Sequence, residues 1–205
     1  MVAVVEQLLG HSEPGIVWKT RTAVLGEPSD PDLQEQVKRS ARVRKLLASI
    51  PPTNVYAKWH GSHWVLATLA DIGYPRGDGE LFSHRDAILD TWLKPSYFTE
   101  FETTSARASY GGNGVPVMNG RHRRCGSQQG NPLWFLHRLG LAVERCDQLA
   151  ERLLFWQWPD GGWNCDRNPD ADTSSFMETL TPMRGLAAHA AATDDEDSTL
   201  GAYRA

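Results

Sequence analysis

The feature that most restricts this chain is a repeat. Leu66, Leu69 and Gly73 recur as Leu133, Leu136 and Gly140 at a constant offset of 67 residues, and Leu89 and Trp92 recur as Leu153 and Trp156 at an offset of 64. A loop three residues shorter in the second copy accounts for the difference. The apolar residues within each copy recur at helical spacing, so the repeating unit is a pair of helices. Such hairpins cannot bury their apolar faces alone, and they stack into a solenoid or close into a ring. A third copy opens at "SSFMETLTPMRGLAAHA". There Ser175 and Glu178 have the spacing of a capping box, and Pro182 either kinks the helix or restarts it from Thr181.

No run of period-two alternation flanked by hairpin turns is evident, so the expected fold class is all-α. One helix is expected over "DPDLQEQVKRSARVRKLLA", capped by Asp30, with Pro31 at its first position and Pro51-Pro52 ending it. The next opens near Ser62 and stops at Gly73. Its partner starts from a box formed by Ser83 and Asp86 and is stopped by Pro95. Residues 104–130, rich in Gly, Ser and Arg, read as a long loop. Asn131-Pro132 reads as a cap and first-turn proline for the helix that ends at Gly140, and "CDQLAERLLFWQ" is its partner. The hairpins thus span about 62–94, 131–157 and 175–191 of a single domain covering 1–191. The segment 192–205, "ATDDEDSTLGAYRA", reads as a disordered or truncated acidic tail that leaves the third hairpin unfinished. Self-association is one way to supply the missing half.

Charge and cysteine content narrow the function classes. Lys and Arg total 21 against 25 Asp and Glu, so the basic footprint of a nucleic-acid binder is absent. The cysteines Cys125, Cys146 and Cys165 are too few and too odd in number for a secreted disulfide framework. They are expected to be reduced, in a cytoplasmic protein. "MVAVVEQLLGHSEP" has neither the basic region nor the unbroken apolar run of a signal or anchor, and contact with a membrane surface stays open. Eight tryptophans in 205 residues favour an aromatic-rich interior or pocket.

The stretch "LAERLLFWQWPDGGWNCD" resembles the QW motif of the squalene and oxidosqualene cyclases, with Gln157, Gly162 and Trp163 as the matching residues. The hairpin around it looks like the prenyltransferase and squalene-oxidase repeat. The resemblance extends from Ser62 to about Ala191, and it implies an α/α toroid, here an incomplete ring. It also implies a hydrophobic cavity that binds or converts an isoprenoid, by cyclase-like or prenyltransferase-like chemistry. The same architecture serves carbohydrate-active enzymes and non-catalytic scaffolds, and both alternatives remain open. In the clasp itself, Gln157 is suited to bonding carbonyls or amides at neighbouring helix ends, Gly161 and Gly162 permit a turn, and Trp163 folds back over it.

In each repeat a polar or aromatic segment precedes the first helix: "KWHGSHW", "RCGSQQGN" and "WNCDRNPDADTSS". If the first helices line the inside of a ring, as the resemblance implies, these segments meet at one mouth. Its candidate ligand-binding residues are Trp59, His60, His63, Trp64, Cys125, Trp163 and Cys165. The candidate catalytic carboxylates are Asp166, Glu178, Asp170 and Asp172. The last two, in "DADTSS", partly match the acid motif of the squalene-hopene cyclases, and Asp166 with Glu178 would be the pair for sugar chemistry. No cofactor is required by these readings. Zinc is the one that the resemblance adds, with Cys125, Cys165, Asp166 and either His122 or His189 as ligands. The cluster "GRHRRCG", with Arg121, Arg123 and Arg124, is either an anion-holding group or a solvated loop.

Overall fold

The computed structural model describes residues 2–51 and 53–205, and Pro52, half of the expected Pro51-Pro52 stop, lies outside them. The described residues fall into two compact units, 1–85 with 138–141, and 86–137 with 142–205. The fold is mainly helical, with eleven α-helices and a small three-stranded sheet among the described residues.

The first unit begins with α1 (Val2–Leu9) and α2 (Pro14–Lys19). The single helix expected next is two, α3 (Pro31–Arg39) and α4 (Ala41–Ala48). Asp30 caps the first as expected, accepting from the Asp32 and Leu33 amides. Ser40 then takes an extended conformation and its hydroxyl accepts from the Val43 amide, so it ends one helix and caps the next. Helix α5 (Ser62–Ile72) ends at Gly73 in the left-handed conformation, φ 85°, as its sequence indicated. Val37, Val43, Val65, Leu66 and Leu69 are fully buried and make up this unit's core. A salt-bridged knot supports it: the Tyr74 hydroxyl donates to Asp78 over 2.7 Å, and Lys38 Nζ reaches the same carboxylate over 2.6 Å. Helix α6 (Phe82–Trp92) does not start from a Ser83 box, because Asp78 caps a short 3-10 turn that runs straight into it.

The second unit corrects the expected long loop. Strand β1 (Glu100–Glu102) pairs in parallel with β2 (Val115–Met118), which pairs antiparallel with β3 (Arg121–His122). A one-turn helix α7 (Ala106–Ser109) connects the first two. All four residues of β2 are buried. The strands are therefore too short, and β2 too uniformly buried, to show alternation. Helix α8 (Ser127–Arg138) begins five residues before Pro132, which sits inside it, so Asn131-Pro132 is not its start. Helix α9 (Arg145–Trp156) agrees with the sequence. Helix α10 (Phe176–Thr193) is continuous through Pro182. Its Gly185 and the Gly130 of α8 lie so close that a Cβ on either would meet the other's helix, at Pro182 or at Gly130 itself. The expected acidic tail instead carries α11 (Glu196–Arg204), capped by Asp195 and packed on α10 and α9. Among the described residues no helix is long and apolar enough to cross a membrane.

Candidate functional site

The segment after α9 does two jobs. Its first half is a clasp. Gln157 Nε2 donates to the Gly161 carbonyl over 2.6 Å and to the Gly201 carbonyl of α11 over 2.8 Å. Gly161 has φ 96°, and a Cβ there would run into the Arg204 carbonyl. The Trp163 indole is 1% exposed and donates to the Leu153 carbonyl over 2.9 Å. Trp158 donates to the His122 carbonyl of β3. Trp163, expected to edge a ligand site, is thus a buried structural residue.

The second half, from Asn164, is a loop shaped by its own side chains. Asn164 Oδ1 accepts from the Asp166 amide, Asp166 Oδ1 from the Asn168 amide and Asn168 Oδ1 from the Asp170 amide. These are consecutive Asx turns. Asp166, Asp170 and Asp172 are exposed.

The loop is anchored from beneath by a residue that sequence reasoning put at the surface. Arg123 follows β3 and is fully buried, with Nη1 donating to the Asp166 carbonyl and Nη2 to the Ala171 carbonyl over 2.8 Å. Its guanidinium lies 4.6 Å from the Trp158 ring centroid. The anion-holding reading of "GRHRRCG" therefore fails at Arg123, whose fork is turned inward onto backbone. No spacing rule would have revealed this, because the partners are carbonyls 43 and 48 residues away.

This anchoring brings Cys165 beside Cys125. Cys125 sits between β3 and α8, where its carbonyl accepts from the Gln128 amide at the start of that helix. Glu178 joins them from the first turn of α10. The sequence assigned Glu178 to a capping box, but the Ser175 side chain makes no cap hydrogen bond. The Glu178 carboxylate instead faces the thiols and accepts a long bond of 3.5 Å from the Ser127 hydroxyl. One ligand atom from each of Cys125, Cys165 and Glu178 lies within 4.8 Å of the other two, and all three residues are half-buried. Among the described residues this is the one such group of metal-capable side chains.

Electrostatics distinguish the two thiols. A hydrogen bond from Cys165, opposed by burial and Glu178 and assisted by Arg124 and Arg167, lowers the Cys125 thiol below its ordinary range. Donation to Cys125, burial and the adjacent Glu178 push Cys165 far up. Cys125 is therefore the more acidic of the two thiols, and Cys165 the one that holds its proton. Arg124 is stacked 4.3 Å from the Tyr97 ring centroid, and Arg167 lies 4.2 Å from that of Tyr110 while donating to the Ser109 carbonyl.

The other expected zinc ligands lie elsewhere. His122 is against Phe155, ring centroids 4.8 Å apart. His189 is paired with His137, Nδ1 to Nε2 3.1 Å, and approaches Asp147 at 3.9 Å. The remaining candidates form an aromatic cluster in the first unit. Tyr56, Trp59 and Trp64 have centroids 5.0 to 5.2 Å apart in the pairs Trp59–Trp64 and Tyr56–Trp64. His63 is 1% exposed beneath them, and burial lowers its imidazole to about 3. Trp59 is 63% exposed and His60 is also exposed.

Comparison of the chain with protein-family models, curated proteins and solved structures finds no match.

Proposed function

We propose that the chain is a helical-hairpin repeat protein of the α/α-toroid kind whose functional centre, Cys125–Cys165–Glu178, binds a thiophilic divalent ion, zinc in the first instance. The observation that carries this reading is the convergence of two thiols and a carboxylate from three separate segments to within 4.8 Å. A tetrahedral zinc with sulfur at about 2.3 Å and oxygen at about 2.0 Å sets its ligands about 3.5 to 3.8 Å apart, so contraction by about an ångström closes the group around an ion. Two thiolates and a carboxylate leave a surplus negative charge on a divalent ion, which Arg124 and Arg167 offset. Three protein ligands leave one position open, the arrangement of a catalytic rather than a structural zinc.

This reading favours the transferase-like branch of the resemblance over acid-initiated cyclisation, because Asp166, Asp170 and Asp172 are exposed, the first two within consecutive Asx turns. An isoprenoid as the hydrophobic ligand rests on the QW-like clasp alone. A second reading, a metal-free dithiol that oxidises reversibly, is favoured by the hydrogen bond between the two thiols.

Elemental analysis of the purified chain separates them. The metal reading expects near-stoichiometric zinc, lost in Cys165→Ser with the helical circular dichroism retained, and a thiolate-to-cobalt charge-transfer band on cobalt substitution. Protein that is metal-free as isolated and takes up neither zinc nor cobalt overturns it, and a reversible loss of two titratable thiols would then favour the dithiol.

A further inference from the structure

The first unit holds a cavity of about 340 Å³ whose lining is unrelated to the thiol centre. That volume is in the range of small-molecule sites. Its floor is Trp18, 5% exposed, locked by donation from the indole N–H to the Ser29 hydroxyl over 3.1 Å. Gly73 makes this floor possible, since a Cβ at that left-handed position would enter the Trp18 ring.

Two arginines, Arg76 and Arg138, line the cavity. Arg76 Nη1 donates to the Arg138 carbonyl over 2.9 Å, which satisfies the last turn of α8. The Arg138 guanidinium stacks 5.5 Å from the Trp18 centroid. It makes no hydrogen bond among the described residues, and neither arginine has a carboxylate within ion-pair reach there. The one lining carboxylate, Glu27, is approached by Arg21 at 3.9 Å. Capping α8 requires a single guanidinium. The second adds five N–H donors and a second positive charge to the same lining, which an oxyanion would pair. The Ser29 oxygen accepts from Trp18, which leaves its own proton to donate into the cavity.

We propose that this cavity binds a small organic oxyanion, a phosphate- or carboxylate-bearing molecule, with Arg76 and Arg138 pairing its charge and the Ser29 hydroxyl orienting it. The site is independent of the thiol centre, and metal-free protein leaves it intact.

The test uses the full chain with phenyl phosphate and, separately, benzoate, each against sodium chloride at matched ionic strength. At least one of the two should raise the melting temperature saturably, and calorimetry should then give a Kd; the arm that responds assigns the phosphate or the carboxylate. Arg138→Gln and Arg76→Gln should each weaken that Kd about tenfold or more, the loss of a charge-assisted contact. Ser29→Ala, which leaves the net charge untouched, should weaken it several-fold. Unliganded circular dichroism and zinc content of each variant should match the parent, which separates a lost site from a lost fold and from the metal centre. Failure of both anions to bind saturably, or an unchanged Kd in both arginine variants, overturns the proposal.

Discussion

The segment before α5 and the segment before α10 look alike in sequence, each placing aromatic and titratable residues just ahead of an apolar helix, yet they fold into opposite environments. Where the first segment runs into α5, His63, the second residue of the helix, is 1% exposed and lies edge-on to Tyr56 at 4.9 Å. Burial keeps its imidazole neutral, which suits a core residue better than a ligand or a proton carrier at neutral pH. Before α10, Cys165 remains half-buried and meets two further titratable groups from distant segments. The lesson is that a reactive residue type becomes a candidate site when tertiary structure leaves it accessible beside other reactive groups, whereas burial that keeps it neutral takes it out of proton chemistry.

The sharpest way to break this contrast is at the clasp that holds the second segment. Trp163→Ala removes a buried indole and its bond to the Leu153 carbonyl, and is expected to cost about 3 to 5 kcal/mol in chemical denaturation. A loss below about 1 kcal/mol would mean that the clasp is not the anchor of the loop.

The first segment is tested by acid. The unfolded chain protonates His63 below about pH 6.5, whereas the folded protein does so only near 3. A neutral buried His63 is therefore at no disadvantage above pH 6.5, and stability is lost progressively as pH falls from 6.5 toward 3. Between pH 7 and 5 the contribution amounts to about 2 kcal/mol, and urea midpoints for His63→Gln should show a correspondingly flatter dependence. Equal slopes for parent and variant would place the imidazole in water.

The smallest effect is expected from Asp166→Asn. Its carbonyl contact with Arg123 is unaltered, and the amide oxygen can still accept from the Asn168 amide. Stability should change by no more than about 0.5 kcal/mol and zinc content not at all. A metal loss comparable to that of Cys165→Ser would restore Asp166 to the ligand set in place of Glu178.

Much of the helical frame was legible in the sequence, because local chemistry fixes it. Gly73 and Gly140 are both left-handed caps, φ 85° and 65°, at the ends of helices whose apolar spacing is periodic. Gln157 bonds a carbonyl in the last turn of α11, as its side chain suggested, and also the Gly161 carbonyl of its own turn. The small sheet was not legible, since strands of two to four residues carry no periodicity. Nor was α11, whose acidic residues resemble a solvated tail until Asp195 is seen to cap it and Gly201 to pack on Leu154 and Leu186.

The sequence by itself determined which residues are thiols and which turns end the helices, because those follow from side-chain chemistry and short-range backbone preference. Only the tertiary structure decided that Glu178 leaves its cap to face Cys125 and Cys165, and that Arg123 turns inward to hold the loop carrying Cys165. Both outcomes depend on contacts between separate segments of the chain, and Glu178 is carried by α10, which crosses α8 closely at Gly130 and Gly185. Burial and proximity are properties of the folded chain, and they set which carboxylate, thiol or guanidinium is free to act.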